Sequence, residues 1–164
     1  PEGRNHASSS RRRRDGSARP SAPEGALEGA GPEMTAIVRH LLNADALAAW
    51  AHAQGFKDLR PDAWHLTVVK VRSTFQDDLE LDRQGLELPR SSTRRVERFG
   101  DFMVLTISSH RLMARHAALR SFGVDSDHRR YRPHITFAVG ATPDLAAVRQ
   151  FQGALQLGPE VLSL

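Results

Sequence analysis

From Met34 onward, short β-branched runs alternate with longer amphipathic stretches, and the same order occurs twice. Residues 35–40, Thr-Ala-Ile-Val-Arg-His, form the first strand-like run. Asn43 then stands where a helix N-cap belongs. Leu47, Trp50 and Ala51, three and four apart, lay an apolar stripe along residues 44–54, and Gly55 supplies the stop. Beyond a turn at residues 59–62, the run 64–71, Trp-His-Leu-Thr-Val-Val-Lys-Val, is rich in β-branched residues and partly alternating. It predicts a strand with one face buried.

The second half repeats this order. Residues 102–108 predict a strand, Ser109 caps a helix running from His110 to Phe122, and Gly123 ends it. After a polar turn at 125–129, residues 131–139 predict another strand, with Pro133 near its start, where a missing N–H is tolerated. Each half therefore reads strand, helix closed by glycine, turn, and a strand bearing His-x-Thr. Roughly ten residues separate the glycine from the histidine in both, a duplication by pattern and not by identity. Between the halves, residues 79–88 are mixed and charged, and 91–99 predict a strand that is Arg-rich on its outer face. Residues 143–150 open with Pro and Asp as a short helix does, and 154–157 alternate as a strand. The predicted class is α+β: a bilobal fold of two pseudo-symmetric antiparallel β lobes with flanking helices.

Residues 1–33 are rich in Ser, Gly, Pro, Ala and Arg and nearly devoid of large apolar side chains, so they cannot offset the entropy of ordering. They are expected to be a disordered extension or linker, with Arg11 to Arg14 a solvated basic run. Pro1 is not a translation start, whereas Met34 directly precedes the first apolar run; the chain is expected to be a fragment of something longer or to carry an upstream extension. The 164 residues leave room for one domain, 34–164, and one active site.

Composition narrows the chemistry. The chain contains no cysteine, which removes disulfides, thiolate-held metals and sulfur nucleophiles. A net charge of +4 and a pI near 10.5 suit an anionic partner without naming it. No apolar stretch has the length of a membrane span, and the start lacks a secretory pattern, so a soluble intracellular domain is expected.

One His-x-Thr tripeptide means little; two in matched positions mean more. Alternation along a strand puts His65 beside Thr67, and His134 beside Thr136, each pair on one face. If the lobes meet about a pseudo-twofold axis, the cleft holds two imidazoles, one to take a proton from a nucleophile and the other to give one to a leaving oxygen. An unperturbed pKa of about 6.5 suits histidine to both roles. Thr67 and Thr136 would donate to the non-bridging phosphate oxygens, and the pattern calls for no metal or cofactor. A metal ion fares poorly: there is no His-Glu-x-x-His helix or carboxylate cluster, and His52, His110, His116 and His128 lie on helix or turn segments, most of them expected at the surface. Arg132 shares the parity of His134, and is either a phosphate ligand in the cleft or a solvated edge residue. Trp64, of opposite parity to His65, is expected behind its strand; the only tyrosine, Tyr131, is left open.

The two His-x-Thr motifs resemble those of the two-histidine phosphoesterases. More narrowly, segments 43–56 (NADALAAWAHAQGF), 109–116 (SHRLMARH), 131–136 (YRPHIT) and 151–160 (FQGALQLGPE) resemble the phage anti-CBASS phosphodiesterases, over nearly all of residues 35–164. That resemblance implies metal-independent cleavage of the 3′,5′ bonds of cyclic di- and trinucleotide second messengers, in the cytoplasm of an infected bacterial host. It implies catalytic roles for His65, Thr67, His134 and Thr136, a nucleobase contact for Glu160, and possible linkage to a portal-like phage protein. Where the family often has a base-stacking aromatic in the first strand, this chain has Ile37, and no aromatic follows Glu160. Alternative expectations are an RNA end-processing enzyme acting on 2′,3′-cyclic phosphates, or a nucleotide-binding module without turnover.

Overall fold

The computed structural model describes residues 34–72, 79–121 and 130–163. The expected disorder of residues 1–33, the helix stop at Gly123, the turn at 125–129 and His128 lie outside them. Among the described residues there are seven strands: β1 (Met34–Leu41), β2 (His65–Arg72), β3 (Leu86–Leu88), β4 (Arg94–Phe99), β5 (Phe102–Ile107), β6 (His134–Val139) and β7 (Leu155–Ser163). Two helices, α1 (Ala44–Ala53) and α2 (His110–Ser121), accompany them, with 3-10 turns at Pro61–Ala63 and Leu145–Ala147.

All strand pairs are antiparallel, in the order β3-β7-β1-β2-β6-β5-β4, so the class is α+β as expected. Both His-x-Thr strands sit side by side at the centre of one curled sheet. Outward from them the order mirrors: β1 then β7 on one side, β5 then β4 on the other. β2 and β6 touch through a bridge at Leu66 and Ile135, both fully buried. Those two side chains enter the core with Leu47, Phe56, Leu112 and Phe137, and burying each such side chain is worth about 1.5–3 kcal/mol.

Local chemistry sets the element ends. Gly55 adopts φ +89° after α1, where its N–H reaches His52 O at 2.9 Å and the Phe56 N–H reaches Ala51 O at 3.0 Å. Asn43 does occupy the N-cap position, but its side chain makes no capping bond. It bridges to the start of β7 instead, donating to Ala154 O and accepting from Gln156 N–H, both at 2.9 Å. Ser109 Oγ accepts the Leu112 N–H at 3.4 Å at the start of α2.

Four expectations change in detail. β6 begins at His134 and not at residue 131, because Pro133 leaves residues 131–133 outside the ladder. β3 was not foreseen, being a three-residue edge strand within the charged segment. Residues 143–150 give only one 3-10 turn, in which Asp144 takes the Ala146 N–H at 3.0 Å. β7 runs on to Ser163, its ladder with β1 passing over Gly158 and Pro159.

Candidate active site

The single β2–β6 bridge fixes how the two motifs face each other. Extending its antiparallel register by one residue each way sets His65 against Thr136 and Thr67 against His134, on the face opposite Leu66 and Ile135. Burial agrees: Leu66 and Ile135 are enclosed, Thr67, His134 and Thr136 are half-buried, and His65 is exposed. The imidazoles thus occupy diagonal corners of a four-residue patch.

Both histidines are held in the same way. His65 Nδ1 lies 2.9 Å from Ala63 O, and His134 Nδ1 lies 2.7 Å from Arg132 O, in each case the carbonyl two residues earlier. A carbonyl only accepts, so Nδ1 carries the proton and Nε2 is left for proton transfer. Flanking rings differ: His40 meets His65 edge-on at 6.2 Å between centroids, and Phe99 meets His134 at 5.1 Å. Neither Thr67 nor Thr136 gives its hydroxyl to a partner among the described residues.

A cleft of about 600 Å³ gathers His65, Thr67 and His134 with Lys70, Tyr131 and Arg132. Thr136 does not line it. That residue lies in an adjacent recess of about 400 Å³, which His65 also borders. Three of the four expected catalytic side chains therefore share one cavity, and the fourth stands across His65 from it.

Tyr131 forms part of the cleft wall. Its hydroxyl donates to Thr67 O at 2.9 Å and its ring stacks on His116, with centroids 4.0 Å apart and planes 8° apart. His116, one of four histidines of which most are expected at the surface, is 5% exposed and its Nδ1 lies 2.7 Å from Val68 O. The spacing Leu112, His116, Leu119 signals this burial, since residues four and seven apart share a helix face. Burial, then the Glu160 charge, raises the Tyr131 hydroxyl above its ordinary 10.0, with Arg39 opposing. The neutral phenol stabilises the fold fully below pH 10, and that contribution is lost as pH rises towards the higher folded value. Because Tyr131 is the only tyrosine, phenolate absorbance reports on it alone. In an alkaline titration we expect it to appear only as circular dichroism shows unfolding; ionisation near pH 10 with the fold intact would contradict the burial.

Strand parity does not reach Arg132, because β6 starts after Pro133. The Arg132 guanidinium pairs with Glu97 and lies 4.9 Å from the Phe99 ring centroid, at the rim of the cleft. Glu160, expected at a nucleobase, lines none of these cavities. Its side chain is fully buried, with Oε1 accepting from Arg115 Nε at 3.0 Å and Arg39 Nη2 at 3.3 Å, and Oε2 from Arg115 Nη2 at 2.6 Å and Asp82 N at 2.8 Å. Ile37 is also wholly in the core; the β1 side chain that reaches the cleft is Ala36. Trp64 is buried behind its strand as expected, edge-on to Phe137. Among the described residues, no three His, Cys, Asp or Glu side chains gather as a metal-ligand group, and no helix is long and apolar enough to cross a membrane.

Comparison with known proteins gives a consistent result. The family model described as anti-CBASS protein Acb1 matches residues 34–163. A protein of Caulobacter sp. (strain RHG1) named anti-CBASS protein Acb1 is 35% identical over 147 residues, 83% of this chain and 23% of its own length. A protein of Sphingomonas paeninsulae with the same name is 34% identical over 145 residues, covering 82% of this chain and 23% of its own. The chain thus spans about a quarter of the length of the curated relatives it matches.

Proposed function

Because the chain belongs to the anti-CBASS Acb1 family, we propose that it counteracts CBASS immunity as a metal-independent phosphodiesterase that opens cyclic di- and trinucleotide messengers. The observation that carries this reading is the matched anchoring of His65 and His134, each held by Nδ1 to the carbonyl two residues before it. Two imidazoles with fixed tautomers and free Nε2 atoms are what paired acid and base catalysis requires. The mirrored sheet order about β2 and β6 accords with the pseudo-symmetric, two-lobed arrangement of the two-histidine enzymes.

In this mechanism one Nε2 takes the proton from a ribose 2′-hydroxyl, whose oxygen attacks the adjacent phosphorus. The phosphorus to 5′-oxygen bond breaks, and the protonated partner histidine supplies the proton to the leaving oxygen. The product is a linear chain ending in a 2′,3′-cyclic phosphate, which water opens with the two histidines exchanging roles. Thr67 and Thr136 donate to the non-bridging oxygens as negative charge builds. Tyr131 holds the Thr67 carbonyl and walls the cleft. Lys70 and Arg132, both on the cleft lining, attract the phosphate, although Arg132 shares its charge with Glu97. The host cytoplasm is the compartment in which such messengers would be met; the relatives are longer than this chain, and linkage to a portal-like phage protein is part of the proposal.

The test is incubation with a panel of cyclic di- and trinucleotides in excess EDTA, with products followed by chromatography. Ring opening that is unaffected by chelation is expected, together with resistance of analogues lacking the attacking 2′-hydroxyl. Equal turnover of a 2′-deoxy analogue would replace the internal attack by direct attack of water. Activity confined to a short RNA bearing a 2′,3′-cyclic phosphate would reassign the substrate, and tight binding without turnover would make the protein a sequestering module.

A further inference from the structure

A second cavity of about 790 Å³ adjoins the catalytic cleft, with Arg130, Tyr131 and Arg132 common to both walls. Its floor belongs to the same sheet face as the catalytic patch. Arg95 on β4 pairs with Thr106 on β5, and Thr106 pairs with His134 on β6. Directly paired residues of antiparallel strands share a face, so Arg95, Thr106 and His134 form one transverse row. Two strand spacings separate its ends, which puts the Arg95 backbone roughly 10 Å from that of His134.

The three arginines of β4 have different fates. Arg94 is buried, donating to Leu88 O, Pro89 O and Gly153 O, and Arg98 donates to Thr142 Oγ1 at 2.6 Å. Arg95 is exposed, lines the second cavity, and meets no carboxylate among the described residues. Arg130, on the wall shared with the cleft, is likewise exposed and unpaired among them. Glu97, the one carboxylate of the cavity wall among the described residues, is paired with Arg132. What remains of the described lining is net positive, with the hydroxyls of Thr93, Thr106 and Ser108 beside it.

A cyclic oligonucleotide carries at least two phosphates, and the cleft accounts for the one that reacts. We propose that the second cavity is the subsite for the neighbouring, non-reacting phosphate and its nucleoside, with Arg95 the principal phosphate contact and Arg130 at the shared rim. This rests on the phosphodiesterase reading for which phosphate reacts, but not for the binding itself. A free guanidinium is suited to the role because it presents paired N–H donors to two phosphate oxygens. Arg95 thereby distinguishes a multi-phosphate ring from a substrate with a single phosphate.

Arg95→Gln, compared with the unaltered protein on a cyclic dinucleotide and on a 2′,3′-cyclic mononucleotide, tests this. We expect KM for the dinucleotide to rise about tenfold while kcat changes less than about twofold, with the mononucleotide unaffected. The salt dependence of the dinucleotide KM should also become shallower, and Arg95→Lys should recover part of the loss. Equal effects on both substrates, or none on either, would overturn the proposal. Anisotropy of a fluorescent cyclic dinucleotide separates the two readings. If the unaltered protein cleaves nothing but binds the label about tenfold tighter than the variant, the subsite stands and the phosphodiesterase reading falls. If it cleaves and the variant matches it in KM and affinity, the reverse holds.

Discussion

His134→Ala is expected to lower the turnover of a cyclic dinucleotide by about 10² to 10⁴-fold with little change in KM, and His65→Ala by a similar factor. General acid and general base act in the same transition state, so the double variant should fall little further than either single one. Structure supports treating these as chemical losses. His65 is exposed and His134 half-buried, and neither belongs to the hydrophobic core, so denaturant midpoints should move little. The pH profile adds a readout that a packing role would not affect. With both imidazoles present the rate should be bell-shaped, and each alanine variant should lose one limb, which assigns acid and base. Two variants that keep the whole bell, or a loss of rate matched by a loss of stability, would remove the histidines from the chemistry.

The parts of this site that were legible in the sequence are those governed by local periodicity. Alternation along a strand is a two-residue rule, so His65 and Thr67 could be put on one face, and Trp64 behind it, before any tertiary contact was known. Helix stripes ended by glycine or opened by serine are equally local, and α1 and α2 fall where the pattern placed them. Legibility failed where a side chain's neighbours come from far along the chain. Parity could not be carried through Pro133 to Arg132, whose partner Glu97 lies on another strand. Arginine content marked residues 91–99 as polar outside, but not that Arg94 turns inward to three backbone carbonyls while its neighbour Arg95 faces the cleft side. Anchoring of Nδ1 to the carbonyl two residues earlier depends on backbone direction just before each strand, which no residue type announces.

Glu160 shows that limit most clearly and carries the second large effect. A carboxylate near the end of a chain reads as solvated or ligand-facing, yet its guanidinium partners lie 121 and 45 residues away, at Arg39 and Arg115. Arg39 also donates to Gln84 O at 2.8 Å, Gly158 O at 2.9 Å and the Asp82 carboxylate at 2.5 Å, and Arg115 donates to Glu80 O at 2.6 Å. Glu160 N–H and Asp82 O are joined at 2.9 Å as well, so the cluster fastens residues 80–84 to β1, β7 and α2. Removing one member of a buried ionic group leaves the others desolvated and uncompensated, which costs about 3–5 kcal/mol. Glu160→Ala is therefore expected to reduce unfolding free energy by about that amount, measured as a lower denaturant midpoint at unchanged slope. Glu160→Gln, which keeps the shape and an acceptor but leaves Arg39 facing only Asp82, should fall between the two. Ligand binding at temperatures where the variants remain folded tells whether the carboxylate also meets a base. Affinity that falls while stability holds would place Glu160 at the nucleobase and undo the buried cluster. Stability that falls while affinity of the folded fraction holds makes the carboxylate the fastening of segment 80–84, upstream of any contact with substrate.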